Sequence, residues 1–320
     1  EKQWKAFSGF FKKHYNNLTS TADYQISKKE LNKIIDTLRI NGFSDLANKY
    51  EKIWKICTGG LLENNPKVKP ENRWEFGVRN WNMLSKTLEN HQKDWMPNDT
   101  KVVEFTFNEK YAKKRKMFYY QYIDILKAME EEGFVKVVEH DDAKVLENGK
   151  VSKVSLAFTT KEAKELMCTA GQILELFAYF EVLKTGFFDD VACSYEFTWE
   201  NENVKNELDC VLTKGFKTVI VECKAVEKLK QDYYQKLDSL SSQFGIAEKG
   251  VILANTYDKS HEDTNATNEL MKTRGKLMDI ITISEQKDIE NIGQNLCDIM
   301  EGKKVGKDFE AKKEGGNANV

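Results

Sequence analysis

Over residues 1–98 apolar positions recur at intervals of three and four: Trp4, Phe7, Phe11 and Tyr15, then Leu31, Ile34, Ile35 and Leu38. That spacing is the stripe of an amphipathic helix, so the region is expected to be helical and free of sheet. Ser27 with Glu30 three positions on has the form of a capping box. Gly59-Gly60 after Trp54-Lys55-Ile56 has that of a helix stop, and Pro66 and Pro70 mark a connector. Tryptophans 4, 54, 74, 81 and 95 in this region present large apolar surfaces, and packing into a core accounts for them better than base stacking.

Residues 99–160 form a second unit. Phe118, Tyr122, Ile125, Leu126 and Met129 share one helical face that Gly133 closes. Strands are expected at 134–140 and 151–159, around a polar loop at 141–150 containing Asn148-Gly149. A helix carrying a hairpin makes a winged-helix-like spacer. Lys113, Lys114, Arg115 and Lys116 beside it suit either DNA docking or a solvated basic face on a structural element, and the second needs less.

The pattern changes at residues 161–302, where strand-sized apolar runs alternate with helical ones in the manner of an α/β domain. A helix is expected at 161–183, strands at 191–198, 207–212 and 218–223, and a helix at 227–244. A strand at 250–254, a helix at 269–275, a strand at 279–283 and a helix at 289–300 complete the unit. The core order is αβββαβ. Residues 303–320 have little apolar content and are expected to be disordered.

Composition narrows the class. At 320 residues, with 40% hydrophobic and 31% charged positions, the chain has the balance of a globular protein of more than one unit. The longest apolar runs, at 218–221 and 250–254, are far short of the roughly 20 residues that span a bilayer, so no membrane is expected. Six scattered cysteines without a CxxC pair, and no leader-like start, suit buried thiols in a reducing cytoplasm. The chain opens on Glu1 rather than Met, which leaves the start of the natural protein open. A net charge of −2 is wrong for a protein that coats DNA, but not for an enzyme whose divalent cations offset phosphate charge locally. Four histidines lie far apart without ligand spacing, which argues against zinc.

The chemistry concentrates in one stretch. In Asn206-Glu207-Leu208-Asp209-Cys210 strand alternation puts Glu207 and Asp209 on one side, with Leu208 and Cys210 on the other. In Val221-Glu222-Cys223-Lys224 it points Glu222 and Lys224 together. The link at 213–216, with Lys214-Gly215 at its tip, is short enough for a hairpin that brings Asp209 beside this pair. Ionisable groups ending an apolar strand are expensive to bury unless paired or metal-bound. Phosphodiester hydrolysis needs oxygen ligands for Mg²⁺ or Mn²⁺, an activated water and a positive charge near the phosphate. Asp209 and Glu222 can hold the cation. Lys224 can position or deprotonate the water and screen the phosphate. Glu175, interrupting the apolar helix face of Leu176, Tyr179 and Phe180, can complete the oxygen shell.

With Glu175 on the preceding helix, Asp209 and Glu222-Cys223-Lys224 resemble the PD-(D/E)xK, restriction-endonuclease-like nuclease superfamily, although Leu208 stands where the eponymous proline would be. Gly171-Gln172-Ile173-Leu174-Glu175, Asp189-Asp190-Val191, Asn206-Glu207-Leu208-Asp209 and Val221-Glu222-Cys223-Lys224 are similar to the nuclease half of the CRISPR ancillary nucleases. The resemblance covers roughly residues 161–300. It implies a metal-dependent endonuclease with Glu175, Asp209, Glu222 and the Cys223 backbone carbonyl as metal ligands and Lys224 as the catalytic cation. It further implies a homodimer, activated by a cyclic oligoadenylate in antiviral defence, with single-stranded RNA or DNA as the favoured substrate. The ring-nucleotide sensor usual in that family has no counterpart in residues 1–98.

Other readings stay open at this point. A Glu-x-Lys alone on a strand is ordinarily a surface ion pair. The same fold also serves restriction or junction-resolving nucleases on duplex DNA, and can persist in a non-catalytic nucleic-acid-binding protein. Glu207 reads better as a rim charge than as a ligand. Tyr234, Gln235 and Gln243 read better as solvent-facing helix polarity than as phosphate contacts. Asp189-Asp190 suit a turn at the sheet edge.

Overall fold

The computed structural model describes residues 24–25, 46–92, 103–108, 119–140, 144–146, 149–199, 205–241, 248–256, 262–303 and 305. The expected helices around Trp4 and Leu31, the capping box at Ser27, the basic run at Lys113–Lys116 and nearly all of the tail lie outside them.

Three features of the N-terminal half matter for the site. Helix α1 (Leu46–Cys57) ends at the expected stop, and a 3-10 turn (Gly60–Leu62) follows. Gly59 turns the chain at φ 103°, and a Cβ on Gly77 would lie 2.1 Å from its backbone nitrogen, so helix α2 (Arg73–Gln92) can cross here only because both positions are glycine. Trp54, Trp74 and Trp81 are buried, as their apolar bulk led us to expect. The expectation of no sheet needs correction, since β1 (Tyr24–Gln25) pairs with a strand of the C-terminal sheet.

The middle unit is more than helix plus hairpin. Strand β2 (Val103–Asn108) precedes helix α3 (Tyr119–Glu131), and β3 (Val135–His140), β4 (Lys144–Leu146) and β5 (Gly149–Phe158) follow. The order is β2-β5-β3, all antiparallel, with β4 folded back on β5 where a loop was expected.

The C-terminal unit is α/β, as the apolar runs indicated. The first expected helix divides into α4 (Lys161–Cys168) and α5 (Gln172–Thr185). The chain continues through β6 (Asp190–Trp199), β7 (Lys205–Lys214), β8 (Lys217–Val226), α6 (Gln231–Ser241), β9 (Glu248–Thr256), α7 (Glu262–Leu277), β10 (Ile280–Ile283), α8 (Gln286–Glu290) and α9 (Ile292–Met300). The sheet order is β1-β6-β7-β8-β9-β10, with β6, β7 and β8 antiparallel and β8, β9 and β10 parallel. Residues 218–223 of β8 are all buried because helices cover both faces, which is why the strand reads as an unbroken apolar run.

One face of this sheet, with Val219, Val221, Cys223, Val251 and Leu253, packs against α5 and α9. The other, with Ile220, Ile252 and Ala254, packs against Tyr234 and Leu237 of α6 and Met271 of α7. The first core is continuous with the N-terminal half. It takes in Tyr50, Trp54 and Leu84 of α1 and α2, Leu126 and Met129 of α3 and Leu156 of β5, and reaches Val305, just beyond the expected domain end. Trp54 stacks on Phe177 of α5 at 4.1 Å between ring centroids, and Tyr50 donates a hydrogen bond to Glu181 at 2.6 Å. Among the described residues no helix is long and apolar enough to cross a membrane.

Candidate active site

The hairpin of β7 and β8 closes through Gly215-Phe216, one position later than expected, with Gly215 at φ 60°. Asp189 holds its tip, accepting hydrogen bonds from the Gly215 N–H at 2.7 Å and Lys214 Nζ at 3.1 Å, a structural role in keeping with the turn reading. From there the ladder runs to Cys210 opposite Val221, its last registered pair. Beyond it the Asp209 side chain takes over, Oδ2 accepting the Cys223 backbone N–H at 2.6 Å.

The alternation expected for Leu208 and Cys210 breaks here. Leu208 packs in the smaller core with Ile220, and Cys210 in the larger one with Val221. On the other side, the register between β6 and β7 skips from Cys193/Cys210 to Tyr195/Leu208, and Ser194 between them has φ 52°. A left-handed serine in a strand is strained and breaks the pleat. It lies opposite Asp209, where the ladder gives way to side-chain contacts.

Asp209, Glu222 and Lys224 are brought together. Lys224 Nζ lies 2.6 Å from Glu222 Oε1 and 3.6 Å from Asp209 Oδ2, and donates to the Cys223 carbonyl at 3.0 Å. Its cation also stands 5.6 Å from the Tyr233 ring centre on α6. Glu175, on the first turn of α5, is part-buried. Ser194 Oγ lies 3.5 Å from its Oε2, and the Cys210 thiol faces its carbonyl at 3.9 Å. Glu207 is exposed, in keeping with a rim charge.

The electrostatics are those of crowded acids. Burial and the Glu222 charge push the Asp209 carboxyl up to about 7. Burial and Asp209 raise Glu175 well above the ordinary carboxylate range. Burial opposes the Lys224 charge, but Asp209 and Glu222 outweigh it and hold the ammonium above its usual value. Glu222 is 1% exposed, and among the described residues its Oε2 has no hydrogen-bond partner. An anionic oxygen buried without a partner is a costly arrangement that a cation would relieve.

The donors therefore suit a hard divalent cation in chemical type and charge. Among the described residues no three His, Cys, Asp or Glu side chains are already drawn to ligand spacing. Glu222 Oε1 is instead taken up by the ammonium groups of Lys224 and Lys236.

Two residues at the site went unrecognised in the sequence. Ser194 carries no local signal. Lys236 of α6, next to Gln235, places Nζ 3.0 Å from Glu222 Oε1 and 3.4 Å from the Glu207 carbonyl. Of the polar residues singled out on that helix, Tyr234 is fully buried and hydrogen-bonded to Thr282 at 2.9 Å, so it is core rather than solvent-facing; Gln235 is exposed, and Gln243 lies outside the described residues.

Residues 160–300 match the family model of the Card1-like endonuclease domain. No curated protein matches the chain. Protein VC1899 from Vibrio cholerae has a similar structure, with a TM-score of 0.51 at 17% identity, over 80% of this chain and 56% of that one. Can2 from Sulfobacillus thermosulfidooxidans, solved in complex with cyclic tetra-adenylate, gives 0.40 at 16% identity over 67% and 52%. The chain thus spans little more than half the length of either, and the likeness to VC1899 is one of fold. The C-terminal α/β unit, residues 160–300, is thus similar to the Card1-like endonuclease domain, which fits the PD-(D/E)xK resemblance of its motifs.

Proposed function

We propose that the chain is a metal-dependent endonuclease, with Asp209, Glu222, Glu175 and the Cys223 carbonyl as the groups that would hold Mg²⁺ or Mn²⁺ and Lys224 as the catalytic cation. The observation that carries this reading is the buried Glu222 carboxylate, one oxygen without a hydrogen-bond partner among the described residues, beside a second buried acid and an ammonium group at 2.6 Å. A bound divalent cation would supply Lewis-acid polarisation of the scissile phosphate.

The protein's own groups do the rest. The Cys223 N–H fixes the Asp209 carboxylate, and Ser194 stands against Glu175, so the acids are oriented before substrate arrives. Lys224, flanked by Asp209 and Glu222, is an ammonium in this arrangement and not a free base. That favours its role in screening the phosphate and orienting the attacking water, over removing the water's proton. The sheet and α5 keep the site shielded on the core side, which strengthens each charge interaction.

The finer assignment follows the motif resemblance: a CRISPR-associated antiviral effector, a homodimer, cutting single-stranded RNA or DNA when a cyclic oligoadenylate engages a sensor. A cleavage assay with titrated Mg²⁺ and Mn²⁺ on linear single-stranded RNA and DNA, plasmid and branched DNA tests it. The expected result is metal-dependent, EDTA-sensitive cutting of single strands, enhanced by cyclic oligoadenylate if the preparation includes a sensor. Cutting confined to plasmid or branched DNA would move the assignment to a restriction or junction-resolving enzyme. Binding unaffected by EDTA, with no cleavage under any metal, would leave a nucleic-acid-binding protein.

A further inference from the structure

Glu222 Oε1 receives two ammonium groups, Lys224 at 2.6 Å and Lys236 at 3.0 Å, and the two are held very differently. Lys224 is 21% exposed and tied down by Asp209, the Cys223 carbonyl and the Tyr233 ring as well. Lys236 reaches in from α6 with its side chain 43% exposed, and its other contact is the Glu207 backbone carbonyl at 3.4 Å. Glu222 itself is 2% exposed at its side chain, so Lys236 stands at the solvent mouth of a carboxylate that is otherwise sealed.

A divalent cation on Glu222 would lie within a few ångströms of both ammonium groups. At that separation a divalent cation and an ammonium group repel, and more strongly at a partly buried site than in water. One lysine must give way. Lys236 is the one placed to, since it has fewer contacts than Lys224 and twice the exposure. An incoming nucleic-acid strand brings phosphate charge to the same mouth, and a flexible ammonium that has lost its carboxylate is suited to meet it.

We propose that Lys236 is a substrate-positioning residue that neutralises Glu222 while the metal is absent and transfers its charge to a phosphate of the nucleic-acid strand when metal and substrate bind. The inference rests on the nuclease reading above and adds to it a residue with two opposed effects. While it sits on Glu222 it competes with the cation. Once displaced it strengthens the hold on substrate.

The test is Lys236→Met, with Lys236→Arg as the charge-conserving control, at an exposed position of a helix that tolerates both. Mn²⁺ binding is followed by thermal shift without nucleic acid, and KM, kcat and the salt dependence of binding with it. The expected result for Lys236→Met is a Mn²⁺ midpoint lowered at least about threefold, KM raised about fivefold with a smaller change in kcat, and a log-log salt slope reduced by about one. Lys236→Arg should restore KM and the slope. An unchanged or raised Mn²⁺ midpoint together with an unchanged slope overturns the assignment. A wild-type protein that neither responds to Mn²⁺ nor cuts overturns the nuclease reading beneath it, so the two failures are distinguishable.

Discussion

Asp209→Asn and Lys224→Ala should each lower cleavage by at least about a hundredfold while leaving the protein folded. Asparagine keeps the shape of the side chain and can still accept the Cys223 N–H that Asp209 accepts at 2.6 Å, so the junction of β7 and β8 survives. What it removes is one anion from a site where burial and Glu222 already push that carboxyl to about 7. The variant should therefore be at least as stable as the wild type without divalent cations, and should not gain the extra stability that those cations are expected to confer on the wild type. Lys224→Ala takes away the positive charge that lies within 4 Å of both acids, so its effect should fall on kcat rather than KM. Steady-state cleavage of a labelled single strand, with urea unfolding of each variant alongside, checks both statements. Near wild-type rates in both variants would reassign these residues to structure.

The second large effect lies far from the chemistry. Trp54→Ala should destabilise the whole described structure by about 3–5 kcal/mol, a large share of the 5–15 kcal/mol typical of a folded protein. Trp54 is 6% exposed, stacks on Phe177 of α5 and meets the edge of Trp74 at 5.5 Å. The same core contains Val219 and Val251 of the nuclease sheet, and α5 carries Glu175 on its first turn. Loss of the indole should thus lower hydrogen-exchange protection in β8 and β9 as well as in α1. A cost below about 1 kcal/mol, or a loss of protection confined to residues 46–92, would show the helical region to be an independent attachment.

Much of the nuclease unit was legible because its signals are local. The apolar run before Glu222 marks a strand buried on both faces, and the short link around Gly215 forces the hairpin that sets Asp209 beside it. The pairing of Glu222 with Lys224 follows from a period of two. Local rules fail at Asp209 itself, where the left-handed Ser194 on the neighbouring strand breaks the alternation; nothing about a serine announces φ 52°. Lys236 is hidden for another reason. It is one basic residue among 49, and only the packing of Tyr234 and Leu237 against the sheet turns it towards Glu222. Those two buried positions are three apart, so the face of α6 was available in the sequence, and reading Tyr234 as solvent-facing missed it. Strand β2 was also within reach, since Val103, Phe105 and Phe107 alternate. The pairing of Tyr24–Gln25 with β6 joins segments more than 170 residues apart, which no local pattern conveys.

The central claim is that three carboxylates and an ammonium group form one site for one kind of cation. Its most direct test is equilibrium Mn²⁺ binding, read by the paramagnetic signal of the free ion, to the wild type and to a protein carrying both Asp209→Asn and Glu222→Gln. Saturable binding by the wild type that disappears in the double variant, with Mg²⁺ competing for the same site, is the expected result. Equal Mn²⁺ binding by the two proteins, or none by the wild type, would contradict it.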